Sequence, residues 1–484
     1  MIANCIGFHR FNSINSQNIE SFFWQFQFRP YFCTPLKREH SSVGLEHLVY
    51  TERVRGSNPC APTQKAFDTI EGFFYIPHLA ISIKFALMHP FTTPNKIVIT
   101  CHKWLAPALA TEVNSLGFTI DRSFQTGVEL RGTINDCIRL NLHLRTASQV
   151  LYSLKTFNCN NPDELYENLA TVEWEKIIDP GGYFSVTSNV FHTTISTNLF
   201  ANLRVKDAVV DRMRKVANKR PSTGSALTGA VIYLYWKYDE AEVFIDTTGD
   251  SLARHGYRKF PGKAPMLEAL AAATILSSKW NTTTPFINPM CGSGTVAIEA
   301  ALIASKRVPG LLRHNYAFMH VIGYDRAVYE KERAIIENQV IEPTGLSIIA
   351  SDMSKQAIDI AKLNAAAAGV EERITFQVCD FENTKMPEDM EGAVILFNPE
   401  YGERLGEEIE LEATYARMGD FLKSKCKGAT GYIFTGNLEL AKKIRLKPSR
   451  RIEFLNAKID CRLLEYEIYA GTRRVEKVSS PLAP

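Results

Sequence analysis

Between Lys96 and Leu142 the apolar positions fall into short runs of alternating or helical period. They predict a strand over Ile97–Thr100 and a helix over Ala106–Leu116 closed by Gly117. A strand around Gly127–Leu130 and a helix over Ile134–Leu142 follow. A second group holds a helix at Pro162–Leu169, a strand at Tyr183–Val190, the basic segment Ala201–Arg220, and strands at Ala230–Tyr235 and Val243–Thr247. After Gly262 strands alternate with helices, the pattern of a parallel sheet covered on both faces. Its strands are expected at Pro285–Asn288, Ser347–Ser351, Thr375–Val378, Ala393–Phe397 and Tyr432–Thr435. Ile452–Asn456 and Arg462–Tyr469 lie too close together for a parallel crossover and must form an antiparallel hairpin.

The first 64 residues show no such period, and their Phe, Asn and Ser clusters favour no packed element. Ser41–Thr63 reads like a translation across a transfer-RNA gene, with Gly56-Ser57-Asn58-Pro59 in its T-arm frame, which makes Met88 the expected start, the alternative being a genuine but poorly ordered extension. The most apolar stretch, Gly72–Phe91, is interrupted by Pro77, His78, Lys84, His89 and Pro90, so neither a membrane span nor a signal peptide is expected. Ten cysteines are scattered without a CxxC pair, which argues for reduced thiols in a cytoplasm and against a structural metal. A net charge of +3 is too small to act over the whole surface, so any affinity for nucleic acid must be local. Ala201–Arg220 supplies such a patch: Arg204, Lys206, Arg212, Arg214, Lys215, Lys219 and Arg220 stand against Asp207 and Asp211. It suits phosphates without reading bases, although a solvated helix face has the same composition.

Three motifs carry chemistry. Asn288-Pro289-Met290-Cys291-Gly292-Ser293-Gly294-Thr295 lies where a strand turns into the helix Val296–Ser305, and glycines there let backbone amides approach a ligand. Asp352 ends the next strand, placed either to accept ribose hydroxyls or to cap the helix beginning near Lys355. Asp380 follows the third strand, suited to an adenine amino group or simply to a turn, with Phe381 beside it as a stacking surface. After the fourth strand comes Asn398-Pro399-Glu400-Tyr401-Gly402-Glu403-Arg404-Leu405. The Asn398 oxygen and the Pro399 carbonyl can accept both hydrogens of a planar amine, and Tyr401 can stack on the base that carries it.

These two loops resemble the cofactor and catalytic loops of S-adenosylmethionine-dependent RNA methyltransferases that modify the 2-amino group of guanine. Gly249–Arg258 and Ala264–Glu268 resemble that family's junction, and Asn141–Ala147 with Val205–Ala208 resemble its ferredoxin-like and THUMP region. The resemblance runs from about Lys96 to Arg474 and is closest to the guanine methyltransferase half of fused bacterial large-subunit ribosomal RNA enzymes. It implies an α/β chain: an extension over 1–95, a ferredoxin-like domain over 96–155, a THUMP RNA-binding domain over 156–255, a Rossmann-like methyltransferase domain over 256–475 ending in a reversed hairpin, and a tail over 476–484. It further implies that Pro265, Asn288, Cys291, Gly292, Ser293, Gly294, Thr295, Asp352, Asp380 and Phe381 hold S-adenosylmethionine, with Asn398, Pro399 and Tyr401 at the amine. Two departures stand out: Glu400 replaces a second proline and Asn288 replaces an aspartate. Ribosomal RNA is the expected partner, with neither a membrane nor a metal. Transfer RNA as substrate, adenine methylation in DNA, and a silent RNA-binding assembly factor remain the alternatives.

Overall fold

A computed structural model describes residues 91, 93–193, 195, 197–260, 265–401 and 408–469. The N-terminal extension up to residue 90, with Met88, lies outside the described residues, as do Ala264, Gly402–Leu405 and the tail. Everything described belongs to one compact unit, Pro77–Pro484.

The N-terminal half is built on one eight-stranded sheet. Its elements are β1 (Asn95–Cys101), α1 (Ala106–Ser115), β2 (Ile120–Phe124), β3 (Gly127–Gly132), α2 (Ile134–His143), β4 (Ala147–Asn158) and α3 (Pro162–Ala170). After them come β5 (Tyr183–Phe191), α4 (Asn198–Ala217), β6 (Ser222–Thr223), β7 (Ala230–Lys237) and β8 (Glu240–Asp246). Local chemistry starts the helices: Thr133 and Asp136 form a reciprocal capping box for α2, and Asn161 accepts from two amides ahead of Pro162 at α3. The strand order is β2-β3-β1-β4-β8-β7-β5-β6. β4 pairs antiparallel with β1 on one side and β8 on the other, so it joins the ferredoxin-like and THUMP regions into one sheet. The expected boundary between residues 155 and 156 therefore falls inside a strand. β4 is absent from the predicted elements because Val150–Ser153 are all buried, and a strand covered on both faces shows no alternation.

The second sheet follows the predicted strand and helix alternation: α5 (Glu268–Leu276), β9 (Phe286–Pro289), α6 (Thr295–Ala304), α7 (Arg326–Gln339), β10 (Ile348–Asp352), α8 (Lys355–Ala368) and β11 (Thr375–Val378). The remainder is β12 (Val394–Phe397), α9 (Glu408–Lys425), β13 (Thr430–Thr435), α10 (Leu438–Lys442), β14 (Arg450–Asn456) and β15 (Ile459–Glu467). Its order is β11-β10-β9-β12-β13-β15-β14, parallel through β13 and antiparallel at the terminal hairpin. The chain thus has a Rossmann-like sheet whose direction of winding switches between β9 and β12, where such folds open a crevice for ligands. β9 and β12 are buried throughout, as central strands of a covered parallel sheet must be.

A buried polar junction holds the two sheets together. His255, fully buried, faces the Glu299 carboxylate with Nδ1 at 2.7 Å and the Arg145 carbonyl with Nε2 at 2.8 Å. Tyr257 also donates to Glu299 Oε1, at 2.8 Å, and Arg145 donates to the Arg307 carbonyl at 2.9 Å. Burial pulls the His255 pKa down, but the charge and hydrogen bond of Glu299 and the Arg145 carbonyl outweigh it and leave it raised. Two acceptors on opposite ring nitrogens suit the doubly protonated ring. Gly310 lets the chain press on the end of α2: an added Cβ would lie 2.2 Å from the Leu142 carbonyl oxygen.

Candidate active site

The crevice at the switch point is tied across by one side chain. Asn288, buried in β9, donates through Nδ2 to the Leu396 carbonyl in β12 at 2.8 Å. Its Oδ1 is buried without a hydrogen-bond partner. A buried orphan acceptor is costly unless a ligand donates to it. The turn that follows is shaped by Met290 and Gly292, whose φ values are 54° and 55°. The Gly292 amide donates to Asp352 Oδ2 at 2.9 Å, and no atom lies within 4 Å of where its Cβ would stand. Space is therefore open above that glycine. Gly294 serves packing instead: a Cβ there would come within 2.8 Å of the Ala361 Cβ on α8.

Cys291 and Ser293 are buried, and burial pushes the Cys291 thiol far up, which removes it as a nucleophile. The Thr295 hydroxyl lies 3.4 Å from that of Ser293 and accepts from Arg258 Nη2 at 3.0 Å. Asp352 is not the helix cap that its position also permits, because Ser354 caps α8 by accepting from the Ala357 amide. Its two oxygens take the Gly292 and Ser354 amides, joining the end of β10 to the glycine turn.

Asp380 Oδ1 accepts from Arg417 Nη2 at 2.7 Å and from the Glu382 amide at 3.0 Å. Burial raises the Asp380 pKa, the Arg417 hydrogen bond and charge lower it more, and the net position is below the ordinary value. Phe381 differs from the expected stacking surface. Its ring is buried edge-to-face against Phe397 and Phe421, with the Arg417 guanidinium 4.9 Å above it.

At the end of β12, Asn398 is half-buried, Pro399 buried and Glu400 exposed. The Tyr401 hydroxyl accepts from Asn456 Nδ2 on β14 at 2.7 Å, so the terminal hairpin anchors the loop. Pro265 lines a cavity of about 510 Å³ together with Arg258, Glu268 and Asn456.

On α4 the basic residues divide. Arg204 pairs with Asp163 at 2.5 Å, Arg212 with Glu175 at 2.7 Å and Arg214 with Asp211 at 3.7 Å. Lys215, Lys219 and Arg220 stand exposed at the C-terminal end, and Lys206 is half-buried. The local excess of charge is therefore concentrated around residues 215–220.

Sequence reasoning missed Arg417, Asn456, Arg258 and Asn364. Asn364 makes four hydrogen bonds that tie Lys259 and Phe260 to Ser293. Only Asn364 carried a signal, as an amide on the apolar face of an alanine-rich helix. Among the described residues, no group of three or more His, Cys, Asp or Glu could hold a metal ion, and no helix is long and apolar enough to cross a membrane.

Three domain families match the chain: an RlmL ferredoxin-like domain over residues 96–151, a THUMP domain over 159–245 and an RMKL-like methyltransferase domain over 255–465. The chain is 34% identical over 401 residues to the ribosomal RNA large subunit methyltransferase K/L of Syntrophotalea carbinolica, covering 81% of this chain and 56% of that protein. The protein of the same name from Ectopseudomonas mendocina is 32% identical, with 80% and 55% covered. The chain thus spans little more than half the length of the relatives it matches. Among solved structures, SMU.472, described as a methyltransferase complexed with SAH, superposes with a TM-score of 0.71 at 26% identity, covering 78% of this chain and 99% of that one. A Listeria monocytogenes protein described as a predicted N6-adenine-specific DNA methylase gives 0.70 at 28%, with 78% and 97% covered. The eight-stranded sheet is therefore that of an RlmL ferredoxin-like domain joined to a THUMP domain, and residues 255–465 carry an RMKL-like methyltransferase domain.

Proposed function

We propose that this chain transfers a methyl group from S-adenosylmethionine to the exocyclic 2-amino group of a guanine in large-subunit ribosomal RNA. The observation that carries the reading is the Asn288 to Leu396 hydrogen bond, which brings the ends of β9 and β12, and so the glycine turn and the Asn398 loop, to one crevice. The residues present suit the cofactor. The unpartnered Asn288 oxygen can accept from its ammonium group, the open space over Gly292 leaves room for its amino-acid end, and the Asp352 and Asp380 carboxylates can take ribose and adenine donors. Bound there, S-adenosylmethionine supplies an electrophilic sulfonium methyl.

The chain's own work is positioning. Asn398 Oδ1 and the Pro399 carbonyl accept the two amine hydrogens and turn the nitrogen lone pair out of the base plane. Tyr401, held by Asn456, stacks on a base that has left its helix. Lys215, Lys219 and Arg220 hold phosphates. The Listeria likeness favours the N6 amine of adenine as the second reading, because an Asn-Pro loop grips either amine. A THUMP domain on the same sheet as the N-terminal strands speaks for RNA.

The test is methyl transfer from labelled S-adenosylmethionine to protein-free ribosomal RNA and to transfer RNA, followed by nucleoside analysis. The label is expected as 2-methylguanosine in ribosomal RNA alone. Asn398→Ala is expected to lower the rate about 100-fold or more with an unchanged melting temperature. Label in transfer RNA, or in 6-methyladenosine, overturns the substrate assignment.

A further inference from the structure

The cavity lined by Pro265 is bounded by side chains that are tied to both loops of the crevice. Its volume of about 510 Å³ falls in the range of sites that enclose small organic ligands. Arg258 lines it and donates to Thr295, the first residue of α6 after the glycine turn. Asn456 lines it as well and donates to Tyr401, three residues beyond Asn398. The cavity is therefore linked through Arg258 to the start of α6 and through Asn456 to the loop after β12, although the described residues of the two loops themselves do not line it. Arg254 and His102, both exposed, contribute to the lining from the junction and from the N-terminal sheet.

Two buried groups in this lining lack a hydrogen-bond partner, the Arg258 Nε donor and one oxygen of Glu268. Glu268 opens α5 and is only 3% exposed, yet its Oε2 makes no hydrogen bond, and its ion-pair partner Arg258 Nη1 is 3.5 Å away. A carboxylate can only accept and a guanidinium only donate, so the wall calls for a hydrogen-bond donor on the ligand at Glu268 and an acceptor beside Arg258. Guanine presents an N1–H donor immediately beside its 2-amino group. Adenine presents a lone pair at N1, which would leave two acceptors facing each other away from water.

We propose that this cavity receives the target nucleoside, in place of the cofactor that the resemblance puts at Pro265, and that the Glu268 carboxylate accepts the guanine N1–H, so that Glu268 separates guanine from adenine while Arg254 holds a neighbouring phosphate. The inference rests on the methyl-transfer reading above and supplies the base specificity that the Asn398 loop lacks. Pockets built around a buried polar partner reject analogues that lack it far more strongly than apolar pockets do.

The decisive probe is 2-aminopurine, which keeps the 2-amino group but carries a lone pair at N1. An RNA fragment holding the guanosine mapped by nucleoside analysis is made with guanosine or with 2-aminopurine at that position, and kcat/KM is measured with the full chain. Wild type is expected to prefer guanosine by about 100-fold or more. In Glu268→Gln, whose amide both donates and accepts, the ratio is expected to shrink to about tenfold or less, with S-adenosylmethionine affinity unchanged by calorimetry. Arg254→Gln is expected to raise KM equally for both RNAs and to leave their ratio alone. Equal use of the two RNAs by wild type overturns the inference and leaves methyl transfer to guanine standing. Loss of cofactor affinity in Glu268→Gln assigns the cavity to the cofactor and overturns it too. Failure of wild type to methylate the guanosine RNA overturns the methyl-transfer reading and this inference together. The wild-type ratio decides the matter alone if the variant does not fold.

Discussion

The junction around His255 and the helix α4 both pair basic with acidic side chains, to opposite ends. At the junction the charges are buried: His255 and Glu299 have fully buried side chains and meet at 2.7 Å. At the C-terminal end of α4 and just beyond it the charges lie in water: the Arg214 to Asp211 pair is about half exposed, and Lys215, Lys219 and Arg220 face solvent. Burial makes the first set a determinant of how the two sheets meet, because an unpaired charge there cannot be hydrated. Exposure leaves the second set available to a polyanion.

The comparison breaks most visibly at Glu299. Glu299→Ala leaves His255 and Tyr257 without their shared acceptor, and a loss of about 3–5 kcal/mol of stability is expected by chemical denaturation. A loss under about 1 kcal/mol, the size of an exposed pair, would show that the junction does not hold the sheets. Replacing Lys215, Lys219 and Arg220 by Ala should leave the melting temperature in place. The same change should weaken RNA binding about tenfold and flatten the salt dependence by two or three phosphate contacts.

The pH dependence sharpens the contrast. The folded-state pKa of His255 is raised above its unfolded value near 6.5. Its contribution to stability is therefore complete below that pH and is lost as the pH climbs through the folded value. Denaturation measured across this window should show stability falling with rising pH in wild type and a flatter profile in His255→Gln. The smallest effect belongs to Arg214→Ala, whose exposed pair with Asp211 should be worth at most about 0.5 kcal/mol in the same assay.

Much of the second sheet was legible because its strands are short apolar runs punctuated by Gly, Pro and Asp, and its hairpin follows from chain length alone. The glycine turn and the Asn398 loop were legible as local strings. β4 was not: both of its faces are covered, so its period vanished just where it joins two domains into one sheet. Phe381 shows the converse: the string of residues offers an aromatic surface beside Asp380, and only the fold packs its ring against Phe397 and Phe421.

The sequence by itself determined the order of elements, the strand-turn-helix context of both loops and the chemistry that each loop can offer. Those properties depend on neighbours within about ten residues. Only the tertiary structure decided that Arg417 steadies Asp380, that Asn456 anchors Tyr401, that Asn364 clasps the glycine turn, and that Glu268 lines a cavity with an unmet oxygen. These partners are separated by 37 to 71 residues in the chain. A hydrogen bond of that kind has no sequence period. It exists because the packed sheets bring distant side chains within 3 Å or so and exclude the water that would otherwise satisfy them.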